Sequence, residues 1–167
     1  MVKLPIVDEN DKIIDYKERD TLDYSKDVYR ISALWIENSK GKVLLAKRAA
    51  IKKQDPNKWG PAVAGTVDEG ESYEQNIVKE AEEELGLKDK FEKGPKVRIK
   101  GEYNYFCQWY LLKTDKNLSE FNIQEDEVSE IKWWTKEELK ETLRTNPELF
   151  VSSMKQNAET LIESVKK

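Results

Sequence analysis

Residues 72–85 run without Gly or Pro, and Gly86 follows them. Ser72 with Gln75 has the residue types of a capping box, and Gly86 suits the left-handed position just past a helix end, so both ends of a helix are marked. Within it, Lys79-Glu80-Ala81-Glu82-Glu83-Glu84 crowds four carboxylates together. At about 100° per residue, Glu80, Glu83 and Glu84 share one face at i, i+3 and i+4, and Glu82 points elsewhere. Like charges stacked this way repel, so the fold must either leave that face in water or bring cations to it. Hard divalent ions such as Mg²⁺ accept such oxygen ligands and are usually completed by water and substrate phosphates. The helix is therefore either a solvated acidic face or one wall of a metal-phosphate site.

Composition narrows the chemistry. A chain of 167 residues fits one domain, and five Trp, seven Tyr and four Phe supply a core although 37% of residues are charged. There is no histidine and a single cysteine, Cys107. That removes the commonest general base, the commonest transition-metal ligand and every Ser-His or Cys-His pair. Carboxylates, Lys, Tyr or the lone thiol remain, and Cys107 reads as a small buried hydrophobe in an aromatic strand. The lone cysteine and the lack of an apolar leader point to a reducing cytoplasm. No stretch of ~18 apolar residues suggests a membrane span, and a net charge of −4 argues against a DNA duplex as partner.

Along the chain, residues 4–7 and 12–16 flank the polar turn Asp8-Glu9-Asn10-Asp11 and predict an N-terminal hairpin. Strands are expected at 28–36 and 42–48, paired with each other, then at 97–103, 105–112 and 127–134. Residues 49–60 read as a basic loop rather than strand, carrying Lys52, Lys53 and Lys58 and ending near Trp59; an apolar run ending at Gly65 and an acidic loop at 68–71 follow. Thr135 with Glu138 has the residue types of a second capping box, opening a helix to about residue 145. An amphipathic helix at about 152–165 completes a C-terminal helix pair. It packs either on its own sheet or on another subunit, which leaves a homodimer open. The sum is a single α/β domain over residues 1–167.

Gly65, Glu71, Lys79-Glu80, Glu83-Glu84 and Gly86, with Ala81 and Leu87 at the aliphatic positions, closely resemble the Nudix box G-x5-E-x7-R-E-U-x-E-E-x-G-U. Lys79 stands where the family has Arg, whose part is to hold the first Glu, here Glu71; a lysine supplies the charge without the planar fork. Leu44-Leu45-Ala46-Lys47-Arg48, Pro56-Asn57-Lys58-Trp59, Ala64-Gly65-Thr66 and the segment from Glu127 through Trp133 look like the branch most similar to isopentenyl-diphosphate isomerase. The resemblance implies an α/β/α sandwich around a mixed sheet. It also implies Mg²⁺ or Mn²⁺ on Glu80, Glu83, Glu84 and the Gly65 carbonyl, with Glu71 and Lys79 in support. Glu83 or Glu127 is then the general base. By the same resemblance Arg48 reaches the phosphates; Lys52, Lys53 and Lys58 are candidates for a basic rim, and Trp59, Tyr103, Tyr105 and Trp109 are candidates to stack a base.

The isomerase reading requires a cysteine in the strand before the box and a metal held largely by histidines. This chain has Ala62-Val63-Ala64 there and no His. Metal-assisted attack of water on phosphorus needs only carboxylates and metal. The expectation is a hydrolase of a small-molecule diphosphate, in nucleoside diphosphates or nucleoside diphosphate-X compounds. A catalytically silent nucleotide-binding module ranks below it because the glutamate set is complete.

Overall fold

In a computed structural model that describes residues 2–165, β1 (Lys3–Val7) and β2 (Ile13–Glu18) form the N-terminal antiparallel hairpin. Asp8 closes its turn by accepting from the backbone N–H groups of Asn10 and Lys12. Next come β3 (Tyr29–Glu37) and β4 (Val43–Arg48), whose expected pairing is confined to Ile36 with Leu44 and Glu37 with Val43. The reason is competition for one strand edge. Residues 31–34 of β3 are already paired with β6 (Val63–Thr66), so β4 diverges to pair with β5 (Trp59–Pro61) and β9 (Val128–Trp134). The end of the expected 49–60 loop is thus strand: Trp59 and Gly60 lie opposite Lys47 and Ala46.

On its other edge β3 runs parallel to β8 (Tyr105–Lys113), and β8 pairs with the outer strand β7 (Glu92–Ile99). The strand expected at 97–103 therefore begins earlier and passes through Gly94-Pro95. A proline is tolerated there because β7 is an edge strand whose ladder shifts register between Lys93 and Lys96. The Gln108 amide donates to the Gly94 carbonyl at 2.9 Å and satisfies one acceptor beside the irregularity.

Alternation along β3 divides the core in two. Leu34 and Ile36 face α1 (Tyr73–Leu85), which buries Ile77, Ala81 and Leu85 against them. Ala33 and Trp35 face the opposite layer, where α2 (Lys136–Thr145) contributes Leu139 and Leu143, and α3 (Met154–Val165) contributes Met154, Ala158, Leu161 and Ile162. The α/β/α sandwich is as expected. The apolar stripe of α3 is covered by its own sheet, and Trp109 Nε1 donates to Asn157 Oδ1 at 3.2 Å across that contact. No helix among the described residues is long and apolar enough to cross a membrane.

Both predicted helix starts are present with different chemistry. At α1 the box is reciprocal: Ser72 Oγ accepts from the Gln75 N–H and the Gln75 side chain accepts from the Ser72 N–H. At α2 only the first half forms, because the Glu138 carboxylate takes the Lys132 ammonium at 2.8 Å instead. Gly86 ends α1 with φ of 68°, the left-handed conformation in which a side chain is strained.

One residue anchors the hairpin. Asp11 accepts from Arg30 Nε at 2.8 Å, Tyr73 Oη at 2.8 Å and Lys96 Nζ at 2.6 Å, tying the turn to β3, α1 and β7. Burial acts against its charge, yet these donors hold the carboxyl below its ordinary range. Asp11→Ala is expected to lower stability by about 2 kcal/mol, between the values for exposed and buried pairs, or roughly 4–8 °C in Tm. Because the folded-state pKa is depressed, the wild-type advantage should be present at pH 7 and shrink as pH falls below about 4. Thermal melts of both proteins at pH 7 and pH 3 measure this.

Candidate active site

The box residues meet where β6 passes α1. Gly65 pairs with Ser32 of β3, and a Cβ at Gly65 would lie 2.4 Å from Glu80 Cγ. Only a glycine lets the Glu80 side chain lie against the strand. The loop between β6 and α1 is held by a half-buried network. Glu71 accepts from the Asp68 N–H at 2.8 Å and from Lys79 Nζ at 2.7 Å; Lys79 also stands 3.5 Å from Asp68. Burial opposes the charge on Glu71, but Lys79, the Asp68 N–H and Asn76 hold its pKa below the ordinary value. Lys79 thus reaches Glu71 with a single ammonium.

Asn76 is a structural residue that the sequence reading missed. It is buried on the sheet-facing side of α1 and donates to the Thr66 carbonyl at 3.0 Å and to Glu71 at 3.1 Å, while Ser32 Oγ donates to its Oδ1. The available signal was a polar residue directly before Ile77 and four before Glu80, on a face that otherwise turns apolar groups inward.

Glu80 and Glu84 line a cleft of about 460 Å³ with Gly65, Arg48, Lys52 and Glu127. Burial, then the neighbouring Glu83, pushes Glu80 up to about 7. Glu84 is buried, and burial followed by the charges of Glu80 and Glu127 raises its pKa well above the usual carboxylate range. Its Oε2 has no hydrogen-bond partner among the described residues. Glu83 is exposed on α1 and is not part of the cleft wall. Among the described residues no three acidic or cysteine side chains converge as a ready ligand set. The donors that do face the cleft are all oxygen, one of them orphaned and buried, which fits a hard divalent cation: an ion there would supply the missing partner and offset the like charges.

Cationic side chains line the same cleft, together with Glu127 and Asp55. Lys52 Nζ contacts Glu127 Oε2 at 2.6 Å, and Arg48 Nε donates to the Gln54 carbonyl at 2.9 Å, which orients the guanidinium. The other two expected substrate contacts are corrected. Lys58 lies 3.9 Å from Asp55 and outside the cleft wall, and Trp59 is in the core, edge-to-face with Trp134 at 5.4 Å. Pairing of Trp59 with Lys47 turns its indole toward the layer of α2 and α3. Of the other aromatic candidates, Trp109 is in the core, whereas Tyr103 and Tyr105 do line the cleft, joined by Tyr29 and by Ser153 and Asn157 near the start of α3. Cys107 lies beneath them, its thiol pKa pushed up by complete burial, so it is inert as a nucleophile.

This geometry can be compared with known proteins. The NUDIX domain family model matches residues 28–153. An uncharacterized Nudix hydrolase of Listeria monocytogenes is 34% identical over 118 residues, 69% of this chain and 68% of that protein. A prenyl-diphosphate phosphatase of Methanosarcina mazei is 29% identical over 154 residues, covering 90% of this chain and 89% of the other. A crystal structure from Deinococcus radiodurans superposes with a TM-score of 0.81 at 24% identity, over 94% of this chain and 97% of that one, and shows the same fold.

The raised pKa of Glu80 has a sign that can be measured. A carboxyl at about 7 when folded and near its ordinary 4.5 when unfolded holds its proton more tightly in the native state, so metal-free stability falls as pH rises from 4.5 to 7. Glu80→Gln is expected to flatten that decline and, at pH 8 in chelator, to raise Tm by about 2–4 °C, the shift of roughly 1 kcal/mol after allowing for partial exposure. An unchanged Tm in chelator-treated melts counts against a charge-strained site.

Proposed function

The chain belongs to the NUDIX domain family, and from that premise we propose that it hydrolyses a diphosphate linkage with Mg²⁺ or Mn²⁺, in nucleoside diphosphates or nucleoside diphosphate-X compounds. The observation that carries this reading is the buried, unpartnered oxygen of Glu84 beside Glu80, in one cleft with Arg48 and Lys52. The carboxylates suit cations, and the guanidinium and ammonium in the same cleft suit phosphate oxygens. When bound, a divalent ion supplies Lewis-acid polarisation of the phosphoryl group and a lowered pKa for its water.

The protein's own groups then divide the work. Glu80, Glu84 and the Gly65 carbonyl hold the ion, while Glu71 and Lys79 keep the loop and helix in register. Arg48 and Lys52 bind and orient the phosphates. Glu127, oriented by Lys52, accepts the proton of the attacking water; Glu83, exposed and outside the cleft wall, is the weaker candidate for that role.

A nucleoside reading is supported by Asn157. Trp109 N–H can only donate, so it fixes the Asn157 oxygen and leaves the amide NH₂, without a protein partner among the described residues, in the cleft wall beside three tyrosines. A ring with polar edges satisfies that donor, whereas a hydrocarbon tail does not. The second reading, a prenyl diphosphate substrate, draws on the name of the Methanosarcina relative.

Nucleoside diphosphates, nucleotide sugars, dinucleoside polyphosphates, prenyl diphosphates and isopentenyl diphosphate, each with Mg²⁺ or Mn²⁺, form the test. Phosphate or nucleotide products are expected, with kcat reduced by about 10²-fold or more in Glu84→Gln and Arg48→Ala acting mainly on KM. Isomer interconversion without phosphate release, or no product from any compound, overturns the proposal.

A further inference from the structure

Glu71 is held at both carboxylate oxygens, and by different elements. Oε2 takes the Lys79 ammonium at 2.7 Å, while Oε1 accepts from the Asp68 N–H at 2.8 Å and from Asn76 Nδ2 at 3.1 Å. An ammonium is a point charge on a flexible stem, so its contact at Oε2 does not fix the plane of the carboxylate. A planar guanidinium spans two oxygens at once. In this chain the second oxygen is fixed from the helix itself, through Asn76.

Asn76 is fitted to that task. It is fully buried, as is Ser32, whose hydroxyl donates to Asn76 Oδ1. With the amide oxygen turned to Ser32, both amide protons are left for acceptors, and each finds one: Glu71 Oε1, and the Thr66 carbonyl at 3.0 Å. These acceptors stand at the two ends of the loop that joins β6 to α1. Asn76 therefore fastens both ends of the loop to the first turns of the helix.

The same contacts reach the cleft wall. Thr66 follows Gly65 directly, and Ser32 is the residue opposite Gly65 in the ladder between β3 and β6. Glu80 follows Asn76 by four residues, or about 6 Å along the helix, and its side chain lies against Gly65. The separation of Gly65 from Glu80 is thus set one helical turn away, by hydrogen bonds from Ser32 to Asn76 and from Asn76 to Thr66.

We propose, resting on the hydrolase reading above, that Asn76 is a positioning residue for the reaction. It fixes the plane of the Glu71 carboxylate, work that a guanidinium in place of the Lys79 ammonium would share, and it keeps Gly65 and Glu80 at the spacing a divalent cation needs. Asn76 lies outside the cleft lining and acts through Glu71 and Thr66.

A double-mutant cycle over Asn76→Ala and Lys79→Arg tests this, read by Mn²⁺ titration and by kcat on the diphosphate turned over fastest in the screen above. Asn76→Ala is expected to weaken Mn²⁺ binding and to lower kcat by about tenfold each, with KM within about threefold. With Lys79→Arg already present, the same change is expected to lower both by about threefold or less. Equal losses in the two backgrounds overturn the proposal, because a residue that only fills the core is indifferent to what holds Glu71.

Hydrogen exchange of the Asp68 amide, in metal-free protein with chelator, reads the orientation of Glu71 without turnover. Asn76→Ala is expected to speed that exchange by about tenfold or more relative to amides of β3 and β8, and Lys79→Met, which leaves Asn76 in place, to change it by about threefold or less. Wild-type exchange in Asn76→Ala overturns the proposal. So does a larger change in Lys79→Met, which decides the matter alone if Asn76→Ala does not fold. No turnover of any diphosphate by the wild type overturns the hydrolase reading, while the exchange and Mn²⁺ results still decide the role of Asn76.

Discussion

Packing α1 onto the sheet takes Glu84 out of water and leaves Glu80 half-buried beside the strand. Ile77, Ala81 and Leu85 must face the sheet, and a helical period then carries Glu80 and Glu84 along the border of the same stripe, against the strand that bears Gly65. A buried carboxylate oxygen without a partner, as at Glu84 Oε2, is costly, and a second carboxylate nearby adds to the cost although Lys79 stands 3.9 Å from Glu80. Apolar burial along α1 holds the arrangement, and the Ser72 and Gly86 ends fix its phase. The loop is locked from the other side by Glu71, Asn76 and Lys79. The strain is concentrated on the cleft wall, where the divalent cation proposed above would relieve it.

The lack of histidine acquires a physical meaning in this setting. The cleft offers carboxylate oxygens together with ammonium and guanidinium groups, and the one sulfur among its described lining residues is a buried thiol. Such a set suits hard cations and phosphate oxygens and offers nothing to soft metals. The chemistry that separates this chain from a histidine-dependent isomerase is therefore visible in the composition of the walls.

Much of this was legible in the sequence because it is local. The capping box at Ser72, the glycine stop at Gly86, the N-terminal turn and the spacing of the box glutamates each depend on residues a few positions apart. What was not legible depends on pairings between distant segments. Trp59 became core because β5 joins β4, an alignment no window around Trp59 encodes. The second half of the Thr135 box was lost because Lys132 competes for Glu138. Arg19 and Tyr29 reach the cleft through the docking of the hairpin and the placement of β3, which rest on Asp11 and on the strand order. Lys79 was read correctly as the partner of Glu71, while the share of the work that falls to Asn76 was hidden by its ordinary appearance as one polar residue among many on α1.

The most direct measurement of whether this cluster is built for cations is a Mn²⁺ titration of the metal-free protein followed by electron paramagnetic resonance. Wild-type protein should remove free Mn²⁺ signal saturably, and Glu84→Gln, which keeps the shape but removes the buried charge, should weaken that binding by about tenfold or more. Equal Mn²⁺ binding by the two proteins, or none by the wild type, would contradict the assignment of Glu80 and Glu84 as the cation-holding wall.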